Sequence, residues 1–578
     1  MPYYLISDFQ AGLDTRKTPF SAPAGSLRRC RDAHINRGGE IEKRFGFTTR
    51  ATLPPGTSGL HVLNDQLYVC GSGPEPLAIP ASVIYQRLEP KSGNLGVELK
   101  RVLSTSSFNG KVYAIAEFNN GAIDHYYDGQ RLTQWDAVAA EIAGEDAVAR
   151  TLADRLRSDF GLLAIPKGNV VSVVGREVDK PFNLVSNTAG LFVTLEQTAG
   201  PTTPQISRIE FQAGFTLDLL YSVSVDGEEV AIEGRASGIG ITAFTLQNRI
   251  FSTSQSLLRF SGFTDPGQSG NIPQPDPTRW DPSGGIGAGF INLSTQDAGS
   301  ANLTAVAAYQ GNLAVFSRQA VHIRSLAIDV ANMRQIQLLQ NLGTTAPRTV
   351  VSFGEADVFF LGFSGIRSLQ ARDSSNTAAS ADVGTPIDDE LAEFLAESDP
   401  KNLRDAIGVI EPRYGRFLLF IGQRVYVFSQ FPGSKINAWS TYEMPDKADA
   451  VSVSQDQVFV RIGDEILVYG GPSGRSFEGV QSDIVLPHMD FEDPGTIKNV
   501  TSMDLGCTGQ WDVFVRPDPT LPEYEEYIGE VDGTTYGLGT TFPALASTTH
   551  LGFRFVSKSD GPAKIGQVII HYQRGNQS

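Results

Sequence analysis

Leu303-Thr304-Ala305-Val306-Ala307-Ala308-Tyr309, Gln310-Gly311-Asn312, Leu313-Ala314-Val315-Phe316 and then Ala320-Val321-His322-Ile323 reads as strand, tight turn, strand, turn, strand. Apolar and aromatic residues fill the runs, and polar residues with glycine fill the joints. The unit recurs along the chain. Leu60–Leu63, Asn64-Asp65 and Gln66–Cys70 form one copy. Ser107-Phe108, Asn109-Gly110 and Lys111–Ala116, followed by His125–Tyr127 and Asp128-Gly129, form another. Further copies begin near Ile241, Val350, Ala406 and Ala450. A repeating strand-turn-strand unit tens of residues long is the pattern of β-propeller blades. Residues 53–136 and 240–470 carry it, and at about 45 residues per blade they hold roughly seven.

Two stretches flank or interrupt the repeat. Residues 137–239 begin with Ala137–Ile142 and then Ala147–Phe160, where Val148, Leu152, Leu156 and Phe160 recur every four residues. Glu145 and Asp146 lead in, while Arg150, Asp154, Arg155, Arg157 and Asp159 take the other side, so an amphipathic helix is predicted. Strands follow near Val170–Val174, Phe182–Val185, Leu191–Leu195, Leu219–Val225 and Val230–Ile232, with a hairpin at Asp226-Gly227. This reads as a small α+β domain inserted between blades. Residues 471–578 show longer strands and read as a C-terminal β-sandwich. A long Pro- and Gly-rich coil spans 262–300, and Asp388, Asp389 and Glu390 open a helix running to about Glu397.

The first 52 residues read as an N-terminal arm. Phe9, Leu13, Phe20, Leu27, Ile35, Ile41, Phe45 and Phe47 are apolar pegs spaced along a polar, turn-rich segment, and Leu27–Ala33 looks helical. Spaced pegs suit a strap laid across another surface, this chain's or a neighbour's. Arg37, Lys43 and Arg44 place positive charge on it. The expectation is that the arm serves assembly and that removing residues 1–48 leaves the propeller folded.

Composition narrows the function. Lys plus Arg number 47 and Asp plus Glu 64, a net charge of −17, against the basic stripes that duplex-DNA binders need. Three cysteines, Cys30, Cys70 and Cys507, imply no disulfide framework. Met1–Asp8 has no basic, apolar leader, and no window approaches 18 apolar residues, so neither signal peptide nor membrane span is expected, and a reducing compartment is. The seven histidines are scattered singly, with no metal-ligand spacing. Gly285, Gly287 and Gly289 lie in a Pro-rich coil, without the strand and helix of a dinucleotide site. Carboxylates are grouped at Asp388, Asp389 and Glu390 and at Glu525 and Glu526, where a propeller glycosidase would need two acids facing each other in a cleft; Asp388 and Asp389 are better explained as helix N-terminal residues favoured by the dipole. Neither enzyme nor cofactor is expected.

The residues Phe9-Gln10-Ala11-Gly12-Leu13-Asp14, then Asn36-Arg37-Gly38-Gly39-Glu40-Ile41-Glu42-Lys43-Arg44-Phe45-Gly46-Phe47, resemble the tail nozzle proteins (tail tubular protein B type) of short-tailed bacteriophages. Later pieces are similar in the same order. They include Phe260–Pro266 with Trp280, Phe359–Gly362 with Gly365-Ile366-Arg367, Gly384–Asp388 with Ala438-Trp439-Ser440, and Leu486-Pro487 with Asp493–Lys498. The resemblance implies a structural virion protein in a ring, expected to be a hexamer, at the distal end of a tail assembled in the bacterial cytoplasm. Its implied partners are a tail adaptor protein, a tail fibre or spike protein, and genomic DNA passing through the lumen without sequence recognition. The alternative on the residues alone is a carbohydrate- or protein-binding surface propeller, and a glycan-cleaving tail enzyme comes third.

Overall fold

A computed structural model describes residues 2–575 apart from 20, 92–95, 137–143, 213–218, 234–239, 265–272, 283–286, 295–301, 328–331, 355–356, 372–377, 398–399, 455, 522 and 537–540. The chain is mainly β, built of many sheets. Short turns set most of the hairpins. Asn64-Asp65, Asn109-Gly110, Asp128-Gly129, Asp226-Gly227 and Gln310-Gly311 all have positive φ at both central residues, the geometry that matches the twist of paired strands.

Seven small sheets follow one another. The first joins Thr57–Leu63, Gln66–Gly71 and Val83–Arg87; the second runs from Leu99–Phe108 through Lys111–Phe118 and Ile123–Tyr127 to Gln130–Arg131. The third comprises Phe244–Leu246, Arg249–Ser254, Leu257–Phe260 and Gly289–Asn292. The fourth is the stretch quoted at the outset, Leu303–Tyr309, Asn312–Ser317 and Ala320–Arg324, with Gln335–Gln340 added. The fifth holds Val351–Phe353, Asp357–Gly362, Gly365–Ala371 and Ala378–Asp382, and the sixth Ile407–Ile410, Phe417–Ile421, Arg424–Phe431 and Ile436–Glu443. The seventh pairs Ala450–Val453, Val458–Ile462 and Glu465–Tyr469, and its fourth strand is Phe47–Thr52, from the other end of the chain.

Each sheet shares a core with the next. Cys70 meets Val102 and Ala114 between sheets one and two, and Tyr113 and Ile115 meet Ile250 between two and three. Phe251 meets Val315, Phe316 meets Phe360, Phe359 meets Phe428, and Leu418 meets Val460 through the following pairs. Sheet seven then packs on sheet one, with Ile466 and Val468 against Leu60, Val62 and Val69. The first strands of the seven sheets are neighbours in the same order, the last beside the first.

Residues 144–233 have a core of their own. The helix Glu145–Phe160 carries acids in its first turn, and its chain reverses at Gly161, whose φ is 65°. Val148, Leu152 and Leu156 pack on Val171, Val173, Ile209 and Val223 from two sheets, and every buried member of this cluster lies between residues 148 and 232. The run Ala137–Ile142 lies outside the described residues, as do parts of the coil 262–300. The helix Asp388–Glu397 forms with Asp388, Asp389 and Glu390 in its first turn.

The C-terminal strands form two sheets over one core. One contains Lys498–Thr508, Lys564–Arg574 and Phe542–Thr548, and the other Asp483–Val485, Gly552–Ser557, Gln510–Arg516 and Glu526–Asp532. Neither consists of C-terminal residues alone. Tyr3–Ile6 and Ile41–Lys43 pair with Lys564–Arg574 in the first, while Arg29–Arg31 lies between Ile436–Glu443 and Asp483–Val485 in the second. Sheet six and a C-terminal sheet are thereby one continuous sheet.

This corrects the reading of residues 1–52 as an arm. Leu27–Ala33 forms short strands, Ser26–Leu27 and Arg29–Arg31, where a helical run was expected. Neighbouring strands supply backbone partners along this segment, and pairing with them satisfies the polar groups that a helix would have satisfied internally.

Candidate functional site: the N-terminal segment

The segment's pegs enter three different cores. Phe9 and Ile41 are buried with Leu27, Cys30 and Ile35 among Ile484, Leu505, Trp511, Phe555 and Ile570 of the C-terminal sheets. Leu13 is buried between sheets five and six with Phe359, Phe428 and Trp439. Phe45 and Phe47 are half-buried between sheets six and seven. The Phe45 ring lies 5.0 Å from that of Phe477 and 5.7 Å from that of Tyr469, and the Phe47 ring lies 5.0 Å from that of Tyr469. Phe20 lies outside the described residues.

Backbone geometry explains the glycines between the pegs. Gly12 has φ of 60° and lies against strand Ile436–Glu443, where a Cβ would stand 2.8 Å from that of Ala438 and 2.9 Å from the Trp439 nitrogen and oxygen. Any side chain there would push Leu13 out of its core. A Cβ on Gly46 would stand 2.5 Å from the Glu478 carbonyl oxygen. These glycines are close-approach positions, needed where the segment crosses other strands.

The charges of the segment are also internal. Lys43 is 1% exposed and its ammonium donates to the Ser559 carbonyl; burial pushes its pKa down. Arg44 is 7% exposed. Its Nε donates to Asp32 Oδ1 at 2.5 Å, and its other nitrogens donate to the Phe45 and Glu443 carbonyls at 2.9 and 3.0 Å. Its guanidinium stands 5.4 Å from the Phe47 and Tyr442 ring centres. Of the three cations expected to face a partner, Arg37 is exposed, 5.4 Å above the Phe431 ring. The structure therefore spreads Phe9, Leu13, Lys43, Arg44, Phe45 and Phe47 along the interior, from the C-terminal core to the cores between sheets five and six and between sheets six and seven. They are not a cluster facing outward.

A second polar cluster was missed in the sequence. Glu117 is fully buried on sheet two. Its oxygens accept from Arg155 at 2.8 Å, Arg101 at 2.7 Å and Lys100 at 3.3 Å. Arg101 continues to Asp405 at 3.2 Å, which also accepts from Lys447 at 2.8 Å. Asp159, held by Arg155 at 3.1 Å, also pairs with Arg404. The network thus ties the 145–160 helix to sheet two and to the short helix Pro400–Asp405. Burial alone would raise the pKa of Glu117, but Arg155, Arg101 and Lys100 outweigh it and hold the carboxyl well below its usual range. Burial is likewise outweighed at Asp405 by Arg404 and Arg101, bringing it to about 2. The available signal was Asp159 itself, an acid in the last turn of a helix, where the dipole disfavours it without a partner.

Two buried histidines make hydrogen bonds within the fold. His125 Nδ1 shares a hydrogen bond with the Tyr113 hydroxyl at 2.8 Å and its Nε2 reaches the Gly240 carbonyl at 2.7 Å; burial pushes its pKa down to about 3. Buried His34 meets the Tyr442 hydroxyl at 2.9 Å. The three cysteines are free and buried, and burial raises the Cys70 and Cys507 thiols to about 12. Among the described residues there is no group of three or more His, Cys, Asp or Glu that could hold a metal ion. No described helix is long and apolar enough to cross a membrane.

Against this geometry, no family model matches the chain and no curated protein matches it. Among solved structures, the chain is similar over 63% of its length to PorZ, an essential bacterial surface component of the type-IX secretion system of Porphyromonas gingivalis. The identity is 12% and the TM-score 0.24, and the chain spans 36% of the PorZ chain. A Bacteroides thetaiotaomicron protein of unknown function is similar over 52% of this chain and 94% of its own, at 9% identity and a TM-score of 0.23. Likenesses this distant fix neither fold family nor role.

Proposed function

We propose that the chain is a structural virion protein, the nozzle subunit of a short phage tail, built as a seven-bladed β-propeller with an inserted α+β domain and a C-terminal β-sandwich. The propeller reading is supported by seven consecutive small sheets that share cores pairwise, the seventh packing on the first. It is supported too by Phe47–Thr52, an N-terminal strand that completes the last sheet and so ties the circle.

The role is carried by one observation, the order along the chain of the nozzle-like pieces from Phe9–Asp14 to Asp493–Lys498. In this reading six copies form a ring that docks to the tail adaptor, holds fibres or spikes outside, and encloses a lumen between subunits. A net charge of −17 suits a conduit that leaves DNA mobile, because acidic walls repel phosphate. The work is mechanical and electrostatic, with no covalent step. Light scattering and electron microscopy of the purified chain, alone and mixed with the adaptor of the same virus, test it. The reading expects a ring, formed alone or on the adaptor. A monomer under both conditions that binds a host glycan would support the surface-binding propeller instead.

A further inference from the structure

Where the N-terminal segment crosses the C-terminal sheets, a cavity of about 310 Å³ opens between them. Its wall carries Arg28, Arg29, Arg516 and Arg554, with Glu523 and Glu525 beside them. Asp483 lies beneath and accepts from Arg29 at 3.0 Å and from Arg554 at 2.6 Å. Arg554 also reaches Glu525 at 2.5 Å. Four guanidinium groups thus converge with three carboxylates, leaving an excess of positive charge in a protein whose net charge is −17. Arg28 and Arg516 stand on the same wall. Arg28 donates from Nη1 to the backbone carbonyls of Asp14 and Lys17, at 3.0 and 2.6 Å. Arg516 is 8% exposed and on the cavity wall.

We propose that this cavity is a binding site for a phosphate group. Guanidinium forks match the oxygens of a phosphate, and charge-assisted bonds of this kind are stronger than neutral ones. Donors arriving from three separate parts of the chain, residues 28–29, 516 and 554, suit a tetrahedral oxyanion better than a planar carboxylate. The remaining wall includes Pro19 and Val485, and the volume is at the lower end of the ~300–1,000 Å³ typical of small-molecule pockets. It therefore has room for the phosphate with or without a small organic portion. Burial depresses the Arg28 and Arg516 pKa values; at Arg516 the carboxylates of Glu523 and Glu525 offset part of this while Arg29 and Arg554 add to it, and a bound dianion would relieve what remains.

The test is calorimetric titration and thermal melting of the full chain with inorganic phosphate, glucose 6-phosphate and glucose, with sodium chloride matching ionic strength. Both phosphates should bind saturably and raise the melting temperature, and glucose should do neither. Tighter binding of glucose 6-phosphate than of inorganic phosphate identifies an ester as the source, and equal or weaker binding identifies the free ion. Arg28→Gln should weaken binding about tenfold or more, and Glu523→Gln, a change at an exposed carboxylate, should strengthen it. Saturable binding that neither substitution alters would place the site elsewhere and overturn the proposal. So would the absence of binding at millimolar phosphate, in which case the arginines only clamp the chain termini together.

Discussion

Residues 1–52 and residues 137–239 both look like appendages to a repeat, and the structure treats them in opposite ways. The longer piece, with a helix and two sheets, buries its apolar residues among themselves. The shorter piece has no core separate from the rest of the chain. It adds strands to sheet seven and to both C-terminal sheets, and places its pegs in three cores. Separability follows from who shares the core, not from length or from position at a chain end.

The contrast breaks most sharply on truncation. Removing residues 1–48 takes out Phe9, Leu13, Leu27, Ile35 and Ile41, and with Phe47 and Thr48 the part of the seventh sheet's last strand that pairs with Tyr469 and Val468. Each such side chain contributes about 1.5–3 kcal/mol, against a total stability of about 5–15 kcal/mol. The truncated chain should be insoluble or melt without a cooperative transition in calorimetry. A folded product would restore the detachable arm.

Point changes in the same segment should have the next largest effect. Phe9→Ala opens a cavity in a closed core and should cost about 3–5 kcal/mol. Arg44→Ala strands Asp32 in a site only 8% exposed and should cost a similar 3–5 kcal/mol. Chemical denaturation reads both. Values below about 1 kcal/mol would mean that the segment is only loosely laid on the sheets.

Deleting residues 137–239 and joining the ends with a short Gly-Ser linker should do less despite its size. The remaining sheets should still melt cooperatively, with a loss of about 1.5–3 kcal/mol for the charged hydrogen bonds of Arg155 and Asp159. A non-cooperative melt would show that the insert belongs to the common core.

The smallest effect is pH-dependent and sharpens how the insert is held. Glu117 and Asp405 have folded pKa values below those of the unfolded chain, about 4.3 for Glu and 3.9 for Asp. A depressed carboxylate stabilises the fold above its unfolded pKa, and that stability is lost as pH falls toward its folded value. Stability should therefore decline from about pH 4.5 downward, for Asp405 until about pH 2. Glu117→Gln should flatten part of that acid limb in melts recorded across pH, and an unchanged limb would remove Glu117 from the account.

Much of the fold is legible in the residues. The hairpin turns carry their own φ requirements in Asn-Gly and Asp-Gly pairs, and the helix at 145–160 declares itself by fourfold apolar spacing and acidic entry. What stays hidden is long-range. Nothing local in Phe47–Thr52 says that it pairs with Glu465–Tyr469, more than 400 residues away. Lys43 reads as surface charge because its partner, the Ser559 carbonyl, is as distant in sequence, and Arg44 does so because its pair with nearby Asp32 is buried only by the arrival of Tyr442 and Glu443. The pegs of the segment are visible as pegs, and only the fold says which holes they fill.

Native-state hydrogen exchange across the whole chain tests the contrast most directly. The account predicts that amides of Ile41–Lys43 and Phe47–Thr52 exchange only with global unfolding, together with Val458–Ile462 and Lys564–Arg574. Amides of Val170–Val174 and Ile206–Phe211 should exchange through a separate opening of lower free energy. Early, independent exchange of Phe47–Thr52, with the insert protected to the global limit, would contradict it.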